Sequence, residues 1–390
     1  MRRWSAYVSL VVLTSGFAAH LGCGGDEPAG STPGETDGGA DTTADAGPGQ
    51  SPGPEGGPGA DDAGADDAGA DAGPTEAAQI LGYVFSNSPA EAESTPSAAF
   101  SYNAAGGPMK VTRTGAGQYT VTFTGLGLAG SGVALASAYD TQGGLCHWSE
   151  STGEDVKVRC VNAAGSNSDS KFALTVFGKG KTPGATILGF AVANDKTNAS
   201  YTPQGTRSNN GGGGGAITAS RVAPGTYKME FGGLALDDIE NVQVMPYGDV
   251  AARCVVKSWG GPTVSTYCYD GAGALADAQY AVLIVGKKPG GTARVVAYAH
   301  ANDSASASYA PALLHNEGDG GATATRSAPG TYSMAFDGRN LNSGAHVQVS
   351  AQGQGRRCNV TAWAGTTVNL TCTSGAGSPT DNNYAIVVLQ

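Results

Sequence analysis

The stretch CNVTAWAGTTVNLTC, residues 358–372, reads as a β-hairpin that turns at Gly365 and sets its two cysteines opposite each other. Side chains alternate between the two sides of a strand. One side then carries Cys358, Val360, Ala362, Val368, Leu370 and Cys372, all apolar. The other carries Asn359, Thr361, Trp363, Thr367, Asn369 and Thr371, polar but for the tryptophan. A disulfide on the apolar side would face a core. Closing a loop of this size contributes about 3 kcal/mol in the chain-entropy model, against a usual domain stability of about 5–15 kcal/mol.

Working outward, the same spacing of 14 recurs in Cys146/Cys160, about Gly153, and in Cys254/Cys268, about Gly261. Each second cysteine lies 12 residues before Phe172, Tyr280 or Tyr384. Upstream, Arg113, Arg221 and Arg326 each lie six residues before Tyr119, Tyr227 and Tyr332. Self-similarity at such a period means tandem copies of one fold. Apolar residues alternate in the segments 119–123, 227–231 and 332–336, so these are half-buried strands, each preceded by a Gly or Pro-Gly turn signal. Further strands recur as an opener (80–85, 187–192, 295–299), a Val-Gln-Val segment (242–244, 347–349) and a closing run (172–176, 280–285, 384–389). The closing run is almost wholly apolar, which predicts the central strand of a sheet. Roughly seven or eight strands per ~100 residues, with regular turns and no helical period, predict an all-β fold of antiparallel β-sandwiches. The expected organisation is three sandwiches, 79–181, 185–288 and 292–390, behind a signal (1–22) and a disordered linker (23–78). Short connectors at 178–184 and 286–291, containing Lys and Pro, suggest beads in a row.

The cysteine arithmetic leaves Cys23 without a partner, directly after MRRW, a largely apolar run (6–19) and His20-Leu21-Gly22. Such a segment is an export signal, too short for a stable membrane span. It resembles a bacterial lipoprotein signal, with Gly22 before an acylated cysteine, although His20 stands where that family has an aliphatic residue. The resemblance implies lipidation at Cys23 and a membrane partner through the lipid anchor. Export also makes the paired cysteines disulfides rather than metal ligands. No metal or cofactor is expected, because His147, His300, His315 and His346 fall at different places in the repeats.

The formal charge of -11 is localised: residues 26–78 hold 13 acidic and no basic side chains, whereas 79–390 hold 20 of each sign. The domains are neutral, which argues against nucleic acid as a partner. The linker is Gly, Ala, Asp, Pro and Thr with almost nothing to bury, a solvated coil with ends on the order of 40 Å apart. Signal and stalk together resemble surface lipoproteins of myxobacterial type, which implies an outer-membrane or cell-surface location. The repeats are similar in a general way to immunoglobulin-like surface modules, but their cysteine spacing is far too short for the inter-sheet disulfide of that family.

Trp259 and Trp363 both fall five residues after the first cysteine of a pair. Strict alternation puts them on the polar side near the hairpin tip, where an indole would be a platform for a sugar ring or a partner protein. Repeat 1 has Ser151 at that position and Trp148 on the core side. No G-x-S-x-G or H-E-x-x-H motif occurs, and no histidine recurs, so no catalytic set is assembled and no enzyme is expected. The reading is a lipid-anchored envelope protein that displays three sandwiches for binding a glycan or a surface protein. The alternatives are a structural spacer, or an extracellular enzyme acting on polymers.

Overall fold

The computed structural model describes residues 77–390, apart from 129, 140–142, 181–186, 238–239, 249–251, 287–293 and 343. The export signal, Cys23, the linker up to residue 76 and most of the two inter-repeat connectors lie outside the described residues. Among the described residues, apart from two single-turn 3-10 helices, Ala98–Phe100 and Gly205–Arg207, every regular element is a strand.

Each repeat forms the same two antiparallel sheets. The first pairs an opening strand (Ala77–Ser86, Ile187–Ala193 or Val295–Ala301), a central closing strand (Lys171–Gly180, Tyr280–Val285 or Tyr384–Leu389) and a third strand (Val133–Tyr139, Asn241–Pro246 or His346–Ala351). The second joins a hairpin to the cysteine hairpin; in repeat 2 these are Ile217–Ala223 with Thr226–Phe231, and Arg253–Gly260 with Thr263–Tyr269. The sheets face each other across a core in which, for repeat 2, Val242, Val244, Val282 and Ile284 meet Met229, Val256, Val264 and the disulfide. All three disulfides form, Cys146–Cys160, Cys254–Cys268 and Cys358–Cys372, with Cα atoms 4.0 Å apart in each.

The cysteine hairpin departs from simple alternation at one residue. Its turn spans two residues, with Gly365 in the left-handed region at φ 58° and Ala364 paired with Thr367. A two-residue turn leaves an odd number of residues between the cysteines, so one residue must bulge out of the ladder for the cysteines to stay opposite. The register slips between Val360 and Ala362, and it slips equivalently between Val256 and Ser258 and between Trp148 and Glu150. Beyond the bulge the two sides exchange. Ala362 now pairs with Asn369 on the polar side, and Trp363 pairs with the buried Val368 on the core side. Trp259 likewise pairs with buried Val264. The side assigned to both tryptophans by alternation alone is thereby corrected.

The repeats are not beads in a row. The cysteine hairpin of each repeat makes a parallel bridge to the end of the third strand of another: Trp148 to Tyr247, Val256 to Gln352, and Val360 to Tyr139. Repeat 1 thus touches 2, repeat 2 touches 3, and repeat 3 returns to 1, a head-to-tail contact that closes into a pseudo-threefold ring. The last bridge fuses a sheet of repeat 3 with one of repeat 1 into nine strands.

Ring closure explains the apolar closing run. In Tyr280–Val285 every residue is buried. Tyr280, Val282 and Ile284 enter the core of repeat 2, while Ala281, Leu283 and Val285 pack in a second cluster with Leu135 of repeat 1 and with Val387 and Leu389 of repeat 3. The first sheets therefore form an inner layer around the common axis. Polar side chains buried there bond between repeats: Ser137 Oγ donates to Gln348 Oε1 (2.5 Å), Gln348 Nε2 donates to the Ala173 carbonyl (3.2 Å), Asn241 Nδ2 to the Ala299 carbonyl (3.2 Å) and Ser350 Oγ to the Val244 carbonyl (3.1 Å). Buried polar groups that are satisfied in this way specify one packing and penalise others.

His346, fully buried, stacks on Tyr83 of repeat 1 (5.0 Å) and lies 3.0 Å from Gln348 Nε2. The glutamine amide is oriented by its carbonyl partners, so its N–H faces His346 Nε2, which accepts as a neutral imidazole. Burial pushes the His346 pKa down to about 3, from an ordinary 6.5. A group with a depressed cationic pKa stabilises the fold fully above the unfolded value and loses that contribution as pH falls from about 6.5 towards 3. Equilibrium unfolding measured between pH 6 and 4 should show a stability loss about 1.4 kcal/mol per pH unit steeper in the parent than in His346→Asn, the residue type repeat 2 carries at this place. Equal slopes would contradict burial of His346 in the ring.

Candidate functional site

Each seam between repeats is wedged by a tryptophan. Trp363, half-buried, meets Phe85, Tyr139 and Phe100 of repeat 1 edge-on, with ring centroids 5.0, 5.3 and 6.1 Å away. Trp259, also half-buried, packs on His300 of repeat 3 at 4.9 Å. In the remaining seam Ser151 replaces the wedge, and Trp148 takes over: it is fully buried, lies 4.5 Å from Tyr247 of repeat 2, and is covered by the Arg207 guanidinium at 5.5 Å. Arg207 Nη1 also donates to the Tyr247 hydroxyl (2.5 Å). Aromatic contacts of this kind add to the burial of apolar area. The two candidate platforms, Trp259 and Trp363, are thus brought not to a free hairpin tip but to the seams.

A second recurring cluster was only half visible in the sequence. Asp169, Asp277 and Asp381 each stand nine residues after the second cysteine. Each accepts a two-pronged ion pair from the arginine that marks its repeat, Arg113, Arg221 or Arg326, at 2.8–2.9 Å. In repeat 2, Asp277 Oδ1 also accepts from the backbone N–H of Gly225 (2.9 Å) and from the Tyr227 hydroxyl (3.0 Å). The Ala278 N–H donates back to that hydroxyl (3.1 Å). The guanidinium first, then these N–H and O–H donors, hold Asp277 down at about 2 and hold Asp169 and Asp381 below the usual carboxylate range. Desolvation pushes Tyr119 and Tyr332 up to about 12 and raises Tyr227. Gly225 turns at φ 64°, and a Cβ there would strike the Cys268 carbonyl, so the tight turn and the carboxylate that caps it form one device. The cluster ties the hairpin turn to the approach of the closing strand in every repeat. Its polar atoms are consumed by one another, which makes it a rivet rather than a reactive centre.

Large concavities are present among the described residues. The first is a groove of about 730 Å³ along the seam of repeats 1 and 2, lined by Thr114, Gln118, Thr120, Lys157, Gln279 and Glu150, among others. Among the described residues that line it, the one carboxylate, Glu150, is held by Lys157 Nζ at 2.7 Å. The second is a basin of about 810 Å³ to which all three repeats contribute. Among the described residues no three His, Cys, Asp or Glu side chains converge as a metal site, and no helix is long and apolar enough to cross a membrane. Three buried disulfides suit an oxidising, extracellular environment. No family model matches the chain, and no curated protein or solved structure matches it either.

Nothing in single-residue counting pointed to the groove, because it is made of ordinary polar strand residues that only ring closure brings beside Tyr247, Gly248 and Gln279. For the tryptophans the geometry sets a different expectation from that of a ligand platform. Trp363→Ala should lower the unfolding free energy by about 2–3 kcal/mol in urea titrations, through lost seam packing. A change under about 0.5 kcal/mol, the range of an ordinary surface substitution, would return Trp363 to the surface.

Proposed function

We propose that the chain is an exported envelope protein, lipid-anchored at Cys23 on the bacterial cell surface, whose ring of three β-sandwich repeats binds a polar extracellular ligand, glycan in class, without catalysing a reaction. The observation that carries this reading is the seam groove. Its volume lies within the range usual for small-molecule sites, about 300–1,000 Å³, and its walls offer hydroxyls, amides, the Glu150–Lys157 ion pair and the Arg159 guanidinium, whose Nε donates to Asn167 Oδ1. That inventory suits a polyhydroxylated ligand, whose hydroxyls both donate and accept. The closed ring also favours a binding head over a spacer, because packing three repeats about one axis adds width and gives up the length a rod would gain. The 13 acids of the stalk would hold the head away from an anionic surface by repulsion.

The test is a glycan-array and cell-wall binding assay on the full chain beside a Gln118→Ala/Thr120→Ala variant with its three disulfides intact. Both side chains line the groove, and neither belongs to a core cluster. The expected outcome is retention of one glycan class by the parent and a loss of about tenfold or more in the variant, with melting unchanged; one to two lost hydrogen bonds account for that magnitude. Binding by neither protein, or equal binding by both, would reject the groove.

A further inference from the structure

The basin sits where the three repeats converge. After its second cysteine each repeat makes a tight turn, at 162–165, 270–273 and 374–377, closed by backbone bonds from Gly165 to Asn162, Gly273 to Asp270 and Gly377 to Ser374. These equivalent turns supply Ala163, Gly271 and Gly375 to the rim of one basin, so it lies at an end of the pseudo-threefold axis. Arg253 lines the basin and also a smaller cavity of about 40 Å³, which takes its walls from the third strands of all three repeats. Arg356 likewise lines both.

Arg253 is 2% exposed. Its Nη2 donates to the Asp270 carbonyl (2.8 Å), while its Nε and Nη1 are buried with no hydrogen-bond partner. A Cβ on Gly375 would collide with the guanidinium, so glycine there lets the turn of repeat 3 lie against it. Arg356 donates to the Asp381 carbonyl and to Gln354 Oε1, again uncharged acceptors. No Asp or Glu lines either cavity among the described residues. The Asp270 carboxylate acts on Arg253 electrostatically without a hydrogen bond to it, and its Oδ1 accepts the Ala274 N–H in its own turn. A buried guanidinium with no carboxylate hydrogen-bonded to it is costly, and natural proteins rarely keep the N–H donors of a buried charge unpaired. Repeat 1 shows that the fold does not require it, since Leu145 occupies the place of Arg253.

We propose that the axial basin is an oxyanion site, in which Arg253 and Arg356 receive a phosphate or carboxylate group at the convergence of the three repeats. The guanidinium fork presents paired N–H donors that match either group. The site is distinct from the seam groove, since the two share no lining residue. Three glycine-containing turns leave room at the rim for an anion carried on a larger molecule.

The test is thermal unfolding of the full chain at fixed ionic strength in inorganic phosphate, sodium galacturonate or sodium chloride, with the parent and Arg253→Leu compared. Leucine is the residue repeat 1 uses here, so the variant is expected to fold. A second variant, Arg253→Lys, keeps the charge and loses the fork. The parent should melt at least about 3 °C higher in one of the oxyanions than in chloride, and Arg253→Leu should show no such difference. A rise with phosphate alone assigns a phosphoryl-bearing ligand, and one with galacturonate alone an acidic sugar. A rise with both assigns a general oxyanion site. Arg253→Lys should recover less than half of the parent's rise. No rise with either oxyanion, or the same rise in Arg253→Leu, would overturn the proposal. Because Arg253→Leu leaves the groove intact, galacturonate bound there would raise both proteins equally, so failure here would leave the glycan reading standing, and the converse holds.

Discussion

The structure depends on a strand that is apolar on both sides. In a two-layer sandwich a sheet has one face for the core and one for water, and alternation should show it. The closing strands Tyr280–Val285 and Tyr384–Leu389 have no face to give to water, since every residue in them is buried. A second apolar face needs a third layer, and each repeat supplies it for the others. Three identical problems of this kind close on themselves as a ring. Free-standing repeats would leave Ala281, Leu283 and Val285, with their counterparts, exposed as a strip of the sort that drives aggregation.

Much of this was legible beforehand, for specific reasons. Period-two alternation in 119–123, 227–231 and 332–336 located half-buried strands, and the 14-residue spacing located three disulfides that the structure forms with their sulfurs in the core. The central place of the closing run also followed from its composition. What alternation could not carry was the bulge. Whether an odd number of residues between two cysteines is absorbed by a three-residue turn or by a two-residue turn plus a bulge is a local energetic choice, and both begin with a glycine at the tip. The choice moves Trp259 and Trp363 to the opposite side of their strand, so the candidate platforms were misplaced by one residue of register.

The ring itself was hidden for a different reason. The double-sided apolar runs were visible, but a sequence does not name the surface that covers them, and short Gly-Pro connectors are compatible with either a chain of beads or a ring. The residues that key the seams recur only in part: Gln348 matches Gln243 but stands where repeat 1 has Leu135, Ser137 and Ser350 stand where repeat 2 has Met245, and Asn241 stands where the others have Val133 and His346. Such divergence suits a single chain, in which each seam can specialise, and makes the repeats fit in only one order. It also explains why the axis is asymmetric, with leucine in one repeat and arginine in two at the position before the first cysteine.

The central claim is closure, and small-angle scattering on residues 77–390 tests it most directly. A compact body of this length should have a radius of gyration of about 20 Å, whereas three domains in a row would give roughly 30 Å or more. A value near the first, with a single-peaked distance distribution, is the result this account requires. A value near the second, with the distribution drawn out to long distances, would contradict the ring and return the repeats to independent beads.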